Sequence, residues 1–242
     1  MASRRGVLHR LGRLLLWVAT VFFASTAIVV LAMRWVPPLT TAFIINGYVS
    51  AWLEHDYGWR ADHRWTAYEQ ISRHAKLAVI ASEDQKFAFH PGFDFEAIDK
   101  AIRARERGKS LRGASTISQQ VAKNLFLWPG QSFVRKGLEA YLTLLIELMW
   151  PKQRILEVYL NVAEFGPGIY GVGAAAPRFF HADPAHITQA QGALLAAVLP
   201  SPKRLHVERP SGYLYRRQAW IMEQMNALGG AEYIRDVENP GR

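Results

Sequence analysis

Cysteine is absent from the 242-residue sequence, and so are several patterns that mark other classes of protein. Without cysteine the chain can form neither a disulfide framework nor a thiolate metal site. Internal repeats, low-complexity tracts and convincing strand alternation are also lacking. Half of the residues are hydrophobic, which excludes a disordered chain and indicates one sizeable domain with an appendage. Helical patterns dominate, so we expect the soluble part to be mainly α.

Acidic side chains are missing from the N-terminal region, where none precedes Glu54. Five arginines, at positions 4, 5, 10, 13 and 34, supply more than half of the formal net charge of +9. The rest of the chain is only mildly basic. This balance suits an anionic lipid surface or a phosphorylated substrate better than DNA, so we expect no nucleic-acid partner.

Residues 14–33 carry no charge and form an apolar run long enough to cross a bilayer. Because arginines precede the run, we expect the N-terminus in the cytoplasm and everything after Arg34 outside. A cleaved signal peptide is the alternative, but its apolar core would be shorter and no small-residue cleavage site follows. The sequence therefore predicts a basic N-terminus (1–13), a transmembrane anchor (14–33), a membrane-proximal linker (34–65) and one main domain (66–242).

Two apolar segments have no assigned partner. Residues 40–65 are rich in aromatic side chains, and residues 125–130 form an apolar tip. Either segment could pack in the ordinary way or enter the bilayer.

The stretch from Glu83 to Asp94 combines ionisable side chains with three phenylalanines. An apolar helical run at 77–81 leads into it, and Pro91-Gly92 predicts a turn after it. A carboxylate fixed at the end of a rigid element and walled by aromatic rings is suited to act as a general base, and Glu83 is the candidate. The alternative is a helix C-terminus with solvated charges.

A second polar stretch follows at 113–124. Thr116 and Gln119 have the spacing of a capping box, which predicts a helix start. On that helix Thr116, Gln119, Gln120 and Lys123 share one face. Amides, a hydroxyl and a single cation suit sugar hydroxyls and one phosphate.

The other helices follow from capping signals. Asp94 caps a helix that we expect to end at Gly108, and Ser132 caps one that runs to Trp150. We expect the latter to bury Leu138, Leu142, Leu145 and Met149 and to hold Glu147 as a paired, buried carboxylate. Further helices are predicted at 152–161, at 190–199 after a capping box at Thr188, and at 213–228, the last of the chain.

Two further patterns do not predict sites. Gly166, Gly168 and Gly171 match a dinucleotide-binding spacing, but no βαβ context surrounds them, so these glycines more plausibly allow close backbone approach. His181, Asp183 and His186 lie at a turn and helix start, and we do not expect a metal there.

Taken together, five ordered motifs spanning residues 72–202 resemble the peptidoglycan glycosyltransferases, the lysozyme-like family that includes the transferase domain of bifunctional penicillin-binding proteins. The motifs are Glu83-Asp84-x-x-Phe87-x-x-His90-x-Gly92-x-Asp94, Gly113-Ala114-Ser115-Thr116-Ile117-Ser118-Gln119-Gln120-x-Ala122-Lys123-Asn124, Arg135-Lys136-x-x-Glu139-Ala140, Lys152-x-x-Ile155-Leu156-Glu157-x-Tyr159-Leu160-Asn161 and Phe165-Gly166-x-Gly168-x-Tyr170-Gly171-Val172. Because S-x-x-K and K-T-G are absent, the chain resembles the monofunctional members, without a transpeptidase domain. Lys86 stands where the family often has arginine.

The resemblance implies a two-lobed helical fold and polymerisation of lipid II into β-1,4-linked glycan at the bacterial inner membrane, for cell wall biogenesis. It implies that Glu139 is a second essential carboxylate. Without the resemblance, the spacing of Glu139 and Arg135 would indicate only a surface ion pair on a helix. The candidate site comprises Glu83 and Glu139 as catalytic residues, Ser115, Gln119, Gln120, Lys123, Asn124, Arg135 and Lys136 as substrate or pyrophosphate ligands, and Asp84, Phe87 and His90 as supports. No cofactor is firmly expected, although a divalent cation (Mg²⁺ or Mn²⁺) could assist at the pyrophosphate. The expected partners are lipid II, the nascent glycan, the membrane and other cell-wall synthesis or division proteins.

Two other functions remain open. A lytic glycan hydrolase of the same broad fold would need an acid to protonate the glycosidic oxygen and would have no use for the Lys123 face. A non-catalytic glycan-binding or division scaffold would not need both Glu83 and Glu139.

Overall fold

The computed structural model describes residues 2–107, 115–130 and 132–239 of the chain. Within these ranges the main elements are eleven α-helices and three short strands. The helices are α1 (Ala2–Ala32), α2 (Ala42–Leu53), α3 (Arg73–Glu83), α4 (Phe95–Glu106), α5 (Ile117–Phe126), α6 (Phe133–Met149), α7 (Lys152–Val162), α8 (Val172–Phe180), α9 (Gln189–Val198), α10 (Gly212–Ala227) and α11 (Ala231–Glu238). The strands are β1 (Asp62–His63), β2 (Glu164–Gly166) and β3 (Ile169–Tyr170). The prediction of a mainly α-helical chain with an N-terminal apolar helix is confirmed.

The first compact unit, Met1–Pro38, contains α1. Its segment His9–Ala32 has a mean hydropathy of 2.5 and is almost entirely exposed within the structure. Exposing so much apolar surface to water is unfavourable, whereas the same surface is favourable in the hydrocarbon core of a bilayer. Length and composition therefore agree with the predicted spanning segment.

The second unit, Leu39–Arg242, begins inside the segment predicted as a linker. That segment contains α2, whose N-cap Thr41 accepts a hydrogen bond from the Ile44 backbone N–H at 3.1 Å. Thr41 is itself almost fully buried. The segment is thus a structured part of the second unit from Leu39 onward.

Helix α3 is the central element of the second unit. Ser72 caps it, and all seven residues from Ala75 to Ala81 are buried. A helix that is buried on every side must be surrounded by other elements, and α3 packs against α9, α10 and α11. A second group forms where α5 packs against α6 and α7. Glu83 lies at the end of α3, close to the junction of the two groups.

A small sheet with strand order β1-β3-β2 was not predicted. β1 pairs parallel with β3, and β2 pairs antiparallel with it. Strands of two or three residues are too short to produce a detectable alternation. The glycine motif lies in and after this hairpin. A Cβ on Gly171, whose φ is +78°, would be 2.5 Å from the carbonyl oxygen of Asn161, so the interpretation of close backbone approach is confirmed there.

Most helix starts agree with the capping signals. The capping boxes at Thr116 and Thr188 are both present, Asp94 accepts from the Ala97 N–H, and Ser132 accepts from the Arg135 N–H. The Glu147 side chain is 9% exposed, accepts from the Ser118 hydroxyl and pairs with Lys152 at 2.8 Å, in agreement with the prediction. Gly108, the expected end of α4, lies outside the described residues.

Two helix predictions were wrong. Leu142 is buried as predicted, but the rest of the buried stripe of α6 comprises Arg135, Glu139, Thr143 and Ile146 rather than Leu138, Leu145 and Met149. The stripe is rotated because its first turns bury an ion pair, which apolar periodicity cannot reveal. In addition, α10 is not the last helix. Gly229 and Gly230, both with positive φ, reverse the chain into α11.

Candidate active site

Glu83 is the last residue of α3, and its side chain is 15% exposed. One carboxylate oxygen, Oε2, accepts a hydrogen bond from the Gln120 amide at 2.9 Å. The other, Oε1, accepts from the Ser82 hydroxyl at 3.1 Å and lies 3.7 Å from the Arg217 guanidinium. The nearest donors are therefore neutral, and part of the carboxylate still faces solvent.

Asp84 connects three elements next to Glu83. It accepts from the His90 Nε2 at 2.8 Å and from the Ile117 backbone N–H at 3.0 Å. Because the His90 Nδ1 accepts from the Gly92 N–H at 3.1 Å, the ring proton lies on Nε2. Phe87 is fully buried and meets the His90 ring edge to face. The end of α3, the following turn and the start of α5 are thereby held in one arrangement.

Gln120 is oriented by a chain of two hydrogen bonds. The hydroxyl of Tyr159, which is buried, donates to its Oε1 at 3.1 Å, while its Nε2 donates to Glu83. The Tyr159 hydroxyl thereby identifies which end of the amide is oxygen. Gln120 therefore presents a donor to Glu83 in a fixed direction.

The polar face predicted on α5 is divided between two tasks. Thr116 and Gln119 are buried and form the capping box, so their side chains complete the helix start. Gln120 and Lys123 face cavities. Of the other predicted ligands on this stretch, Asn124 lines the same cavity as Lys123, and Ser115 lines the cavity of Glu83.

Lys123 is largely buried, and its ammonium lies 5.6 Å from the centre of the Phe43 ring. Burial lowers the pKa of Lys123, with Arg135 and Lys136 acting in the same direction, while Glu139 and Glu83 raise it. Within the described part of the chain its ammonium makes no hydrogen bond, so its three donors are available to a ligand.

Glu139, on α6, forms ion pairs with two basic side chains. Its side chain is 4% exposed, pairs with Arg135 at 3.0 Å and also pairs with Lys136. The two basic residues lie one turn before it on the helix, as the i, i+3 and i, i+4 spacing predicts. The pair with Arg135 is buried, whereas half of the Lys136 side chain remains exposed.

Two neighbouring cavities share Gln120, Pro200, Ser201 and Arg204 as lining residues. The cavity of 970 Å³ contains Glu83, and the cavity of 430 Å³ contains Lys123. A hydrogen-bond-accepting carboxylate thus faces one compartment and an available cation faces the next. This arrangement can remove a proton at one point and stabilise an anion at a neighbouring one.

Several residues of this site were not found by sequence reasoning. Arg217, on α10, donates to the Ser82 hydroxyl at 3.1 Å and approaches Glu83. Tyr233, on α11, donates to the Gln85 carbonyl at 2.7 Å and accepts from the Ala88 N–H at 3.3 Å, which fixes the turn after Glu83. Both lie more than 130 residues from their partners, and no local pattern connects such positions.

Position 86, where this chain has lysine and the family often has arginine, lies on the surface. Lys86 pairs with Glu96 on α4, and both side chains are about half exposed. Lys86 also lines the larger cavity.

Comparison with known proteins supplies a family for this geometry. A family model described as "Transglycosylase" matches residues 53–226. A biosynthetic peptidoglycan transglycosylase of Pseudomonas syringae pv. tomato is 49% identical over 236 residues, which is 98% of each chain. One from Xanthomonas campestris pv. campestris strain B100 is 50% identical over 230 residues, covering 94% of each chain, and one from Stutzerimonas stutzeri is 50% identical over 234 residues.

Proposed function

The chain belongs to the transglycosylase family, and from this premise we propose that it polymerises lipid II into glycan strands by an inverting transfer with Glu83 as general base. Relatives that match nearly the whole chain are named biosynthetic peptidoglycan transglycosylases, so the chain is an enzyme of the peptidoglycan glycosyltransferase class. The residue roles below are part of the proposal.

The proposed reaction joins the growing glycan to one more lipid II. The 4-hydroxyl oxygen of the acceptor N-acetylglucosamine attacks C1 of the donor sugar, which is α-linked to the lipid pyrophosphate. The C1–O bond to pyrophosphate breaks with its electron pair remaining on the leaving group, and the hydroxyl proton goes to Glu83. Backside attack gives the β-linkage. The leaving group needs charge neutralisation and no proton, so a single base is sufficient.

The environment of Glu83 supports its role as the base. Neutral donors from Gln120 and Ser82 hold the carboxylate, and the cavity leaves room for an acceptor hydroxyl. Asp84, Phe87 and His90 fix the element that carries Glu83. A base held in place by such contacts does not need to reorganise during the reaction.

Lys123, which lines the neighbouring compartment, and the cations close to it support stabilisation of the pyrophosphate. Lys123 is largely buried, where a charge acts more strongly than in water, and its ammonium makes no hydrogen bond to the described residues. Glu139 holds Arg135 and Lys136 near Lys123, and Lys136 remains accessible. In this proposal Glu139 orients cations for the substrate phosphates and does not accept the proton. Ser115 and Asn124 contribute polar contacts to the same two compartments, and Gln119 acts through the helix start.

A divalent cation at the pyrophosphate stays an expectation. Among the described residues no group of three His, Cys, Asp or Glu could hold a metal ion. Both oxygens of Glu139 already contact cations. The described side chains thus do not fit a protein-held metal, and the proposed steps do not depend on one.

The membrane topology is also part of the proposal. The spanning candidate His9–Ala32 follows arginine-rich residues, which favours a cytoplasmic N-terminus and a catalytic domain on the opposite, periplasmic side. Lipid II, the nascent strand and the bilayer are the proposed partners, with other cell-wall synthesis or division proteins as possible associates. Confinement of enzyme and substrate to one membrane raises their local concentration.

The observation that carries the proposal is the meeting of the Glu83 and Lys123 compartments at Gln120. The test is incubation of the purified chain with lipid II, with products sized on a gel, with and without a chelator. We expect a ladder of polymer. Shortening of preformed glycan would instead indicate a hydrolase, and no change in either substrate would indicate a binding protein.

A further inference from the structure

Helix α10 presents two aromatic rings to the larger cavity. Tyr213 and Trp220 both line it, and they are 51% and 41% exposed. Arg217 lies between them and also lines the cavity. Offsets of four and three residues place all three side chains on one face of the helix.

The ion pair of Arg217 places this face beside the proposed base. Arg217 is 3.7 Å from Glu83 and donates to Ser82, the residue before it. Tyr213 and Trp220 therefore flank the Glu83 region along α10, separated by about 10 Å of helix axis. The buried side of the same helix carries Leu214, Ile221 and Met225, which hold it against the core. The two rings are thus fixed by a rigid element and remain open to a ligand.

Half-exposed aromatic rings in a polar cavity suit a saccharide. The C–H faces of a pyranose are apolar and pack on a flat ring, while its hydroxyls reach polar neighbours at the rim. Tyr and Trp offer such a surface with few rotatable bonds, so little entropy is lost on binding. Ser115, Gln85 and Arg204 supply hydrogen-bonding groups around the same cavity.

We propose that Tyr213 and Trp220 form a saccharide-binding subsite for the acceptor, in which the rings of α10 hold the sugar whose hydroxyl is presented to Glu83. The inference rests on the proposed function, because Glu83 can deprotonate only a sugar that lies in the cavity it lines. The separation of the rings along α10 is comparable to the length of a disaccharide. The subsite therefore fits the disaccharide of an incoming lipid-linked acceptor.

Tyr215 provides a matched control on the same helix. It is the same residue type as Tyr213 and is 56% exposed, but it does not line either cavity. Two residues advance a helix by about 200°, so Tyr215 lies on the side opposite Tyr213.

The experiment uses the full chain in detergent, with a preformed lipid-linked glycan as saturating donor and lipid II as the varied acceptor. We expect Tyr213→Ala and Trp220→Ala each to raise the acceptor KM about 3- to 10-fold, with kcat changed less than about twofold. Tyr213→Phe and Trp220→Phe, which keep a flat ring, should stay close to the wild type. Tyr215→Ala should leave the acceptor KM unchanged. In Tyr213→Ala and Trp220→Ala the donor KM, measured by varying the donor at a fixed acceptor concentration, should also stay unchanged.

The proposal is overturned if the two alanine variants have the same acceptor KM as Tyr215→Ala, or if the donor KM rises equally. Melting temperatures identify loss of folding. If Trp220→Ala is unstable, Trp220→Leu keeps apolar volume without a flat ring and decides the matter by the same measure. Glu83→Gln is assayed in parallel. A normal kcat of Glu83→Gln contradicts the proposed base. If Glu83→Gln has a low kcat but the α10 variants have an unaltered acceptor KM, the subsite alone is contradicted.

Discussion

Glu83 and Glu139 are both carboxylates on helices close enough to Lys123 to raise its pKa, yet their surroundings differ. Glu83 receives hydrogen bonds from the neutral side chains of Gln120 and Ser82, with its one guanidinium neighbour 3.7 Å away. Glu139 is more deeply buried and is paired directly with Arg135 and Lys136. The Glu83 carboxylate is thus held in place and left available, whereas the charge of Glu139 is balanced by its two cationic partners.

The difference supports separate tasks for the two residues, of which Glu83 was the predicted base and Glu139 the second essential carboxylate that the family resemblance implies. A general base must accept a proton, and direct pairing with two cations makes a carboxylate a poor acceptor. A neutralised carboxylate can instead hold cations where an anionic substrate needs them. The comparison therefore supports the proposal that Glu83 takes the proton and that Glu139 positions cations.

The largest effect is expected at Glu83. Glu83→Gln keeps the shape and the contact with Gln120 but removes the base, so kcat should fall about 10²- to 10⁴-fold with substrate binding little changed. Steady-state polymerisation of lipid II measures this. The melting temperature should stay near that of the wild type. Polymerisation at the wild-type rate would remove the distinction between the two carboxylates.

Lys123 tests the cationic side of the comparison. Lys123→Ala should lower kcat about 10²- to 10³-fold, because one charge-assisted donor to the leaving group is lost. Lys123→Arg should restore only part of the rate, since a planar fork does not occupy the position of a compact ammonium. If Lys123 were only a solvated cation on a helix surface, Lys123→Ala would leave kcat unchanged and would hardly shift the melting temperature.

The pKa of Lys123 adds a pH dependence to the same variants. Burial lowers this pKa, so as pH rises the ammonium loses its proton below the usual range of lysine. The kcat/KM of the wild type, which reports the free enzyme, should therefore decline on the alkaline side. In Lys123→Arg this decline should disappear, because a guanidinium keeps its proton.

Glu139→Gln should change stability as well as rate. The substitution leaves Arg135 buried without its charged partner, which costs on the order of 3 kcal/mol. A drop of several degrees in melting temperature and a rate loss of about 10- to 100-fold from displaced cations are expected. Thermal unfolding and kinetics of this variant beside Glu83→Gln measure both. A stable but inactive Glu139→Gln would contradict the assignment of Glu139 to cation placement.

Removal of residues 1–34 should give the smallest effect. The catalytic unit starts at Leu39, so we expect it to remain folded and active in detergent micelles. On liposomes the rate should fall roughly 3- to 10-fold, because the enzyme is no longer confined with its substrate. Loss of the helical circular-dichroism signal of the second unit would show that the anchor is structural.

The sequence predicted those features that local chemistry controls. Capping boxes at Thr116 and Thr188, the cap at Asp94 and the buried carboxylate of Glu147 all follow from spacing over a few residues. The apolar run of α1 follows from composition alone. Local patterns indicated Glu83 and Lys123, and the family resemblance added Glu139.

What the sequence did not predict depends on contacts between distant residues. The rotated stripe of α6 arises from a buried ion pair, and the small sheet arises from pairing of very short strands. Arg217 and Tyr233 reach the Glu83 region from helices near the C-terminus. The division of the α5 face between capping and cavity also required coordinates, because a capping box and a binding face share the same spacing.

Chemical rescue tests the central claim most directly. Glu83→Ala opens space in a cavity that already admits solvent, and formate can occupy it as an external carboxylate base. We expect formate to raise the polymerisation rate of Glu83→Ala in a concentration-dependent manner and to leave Glu139→Ala unchanged. Rescue of Glu139→Ala in place of Glu83→Ala would contradict the account, because it would assign the proton to the carboxylate that the structure surrounds with cations.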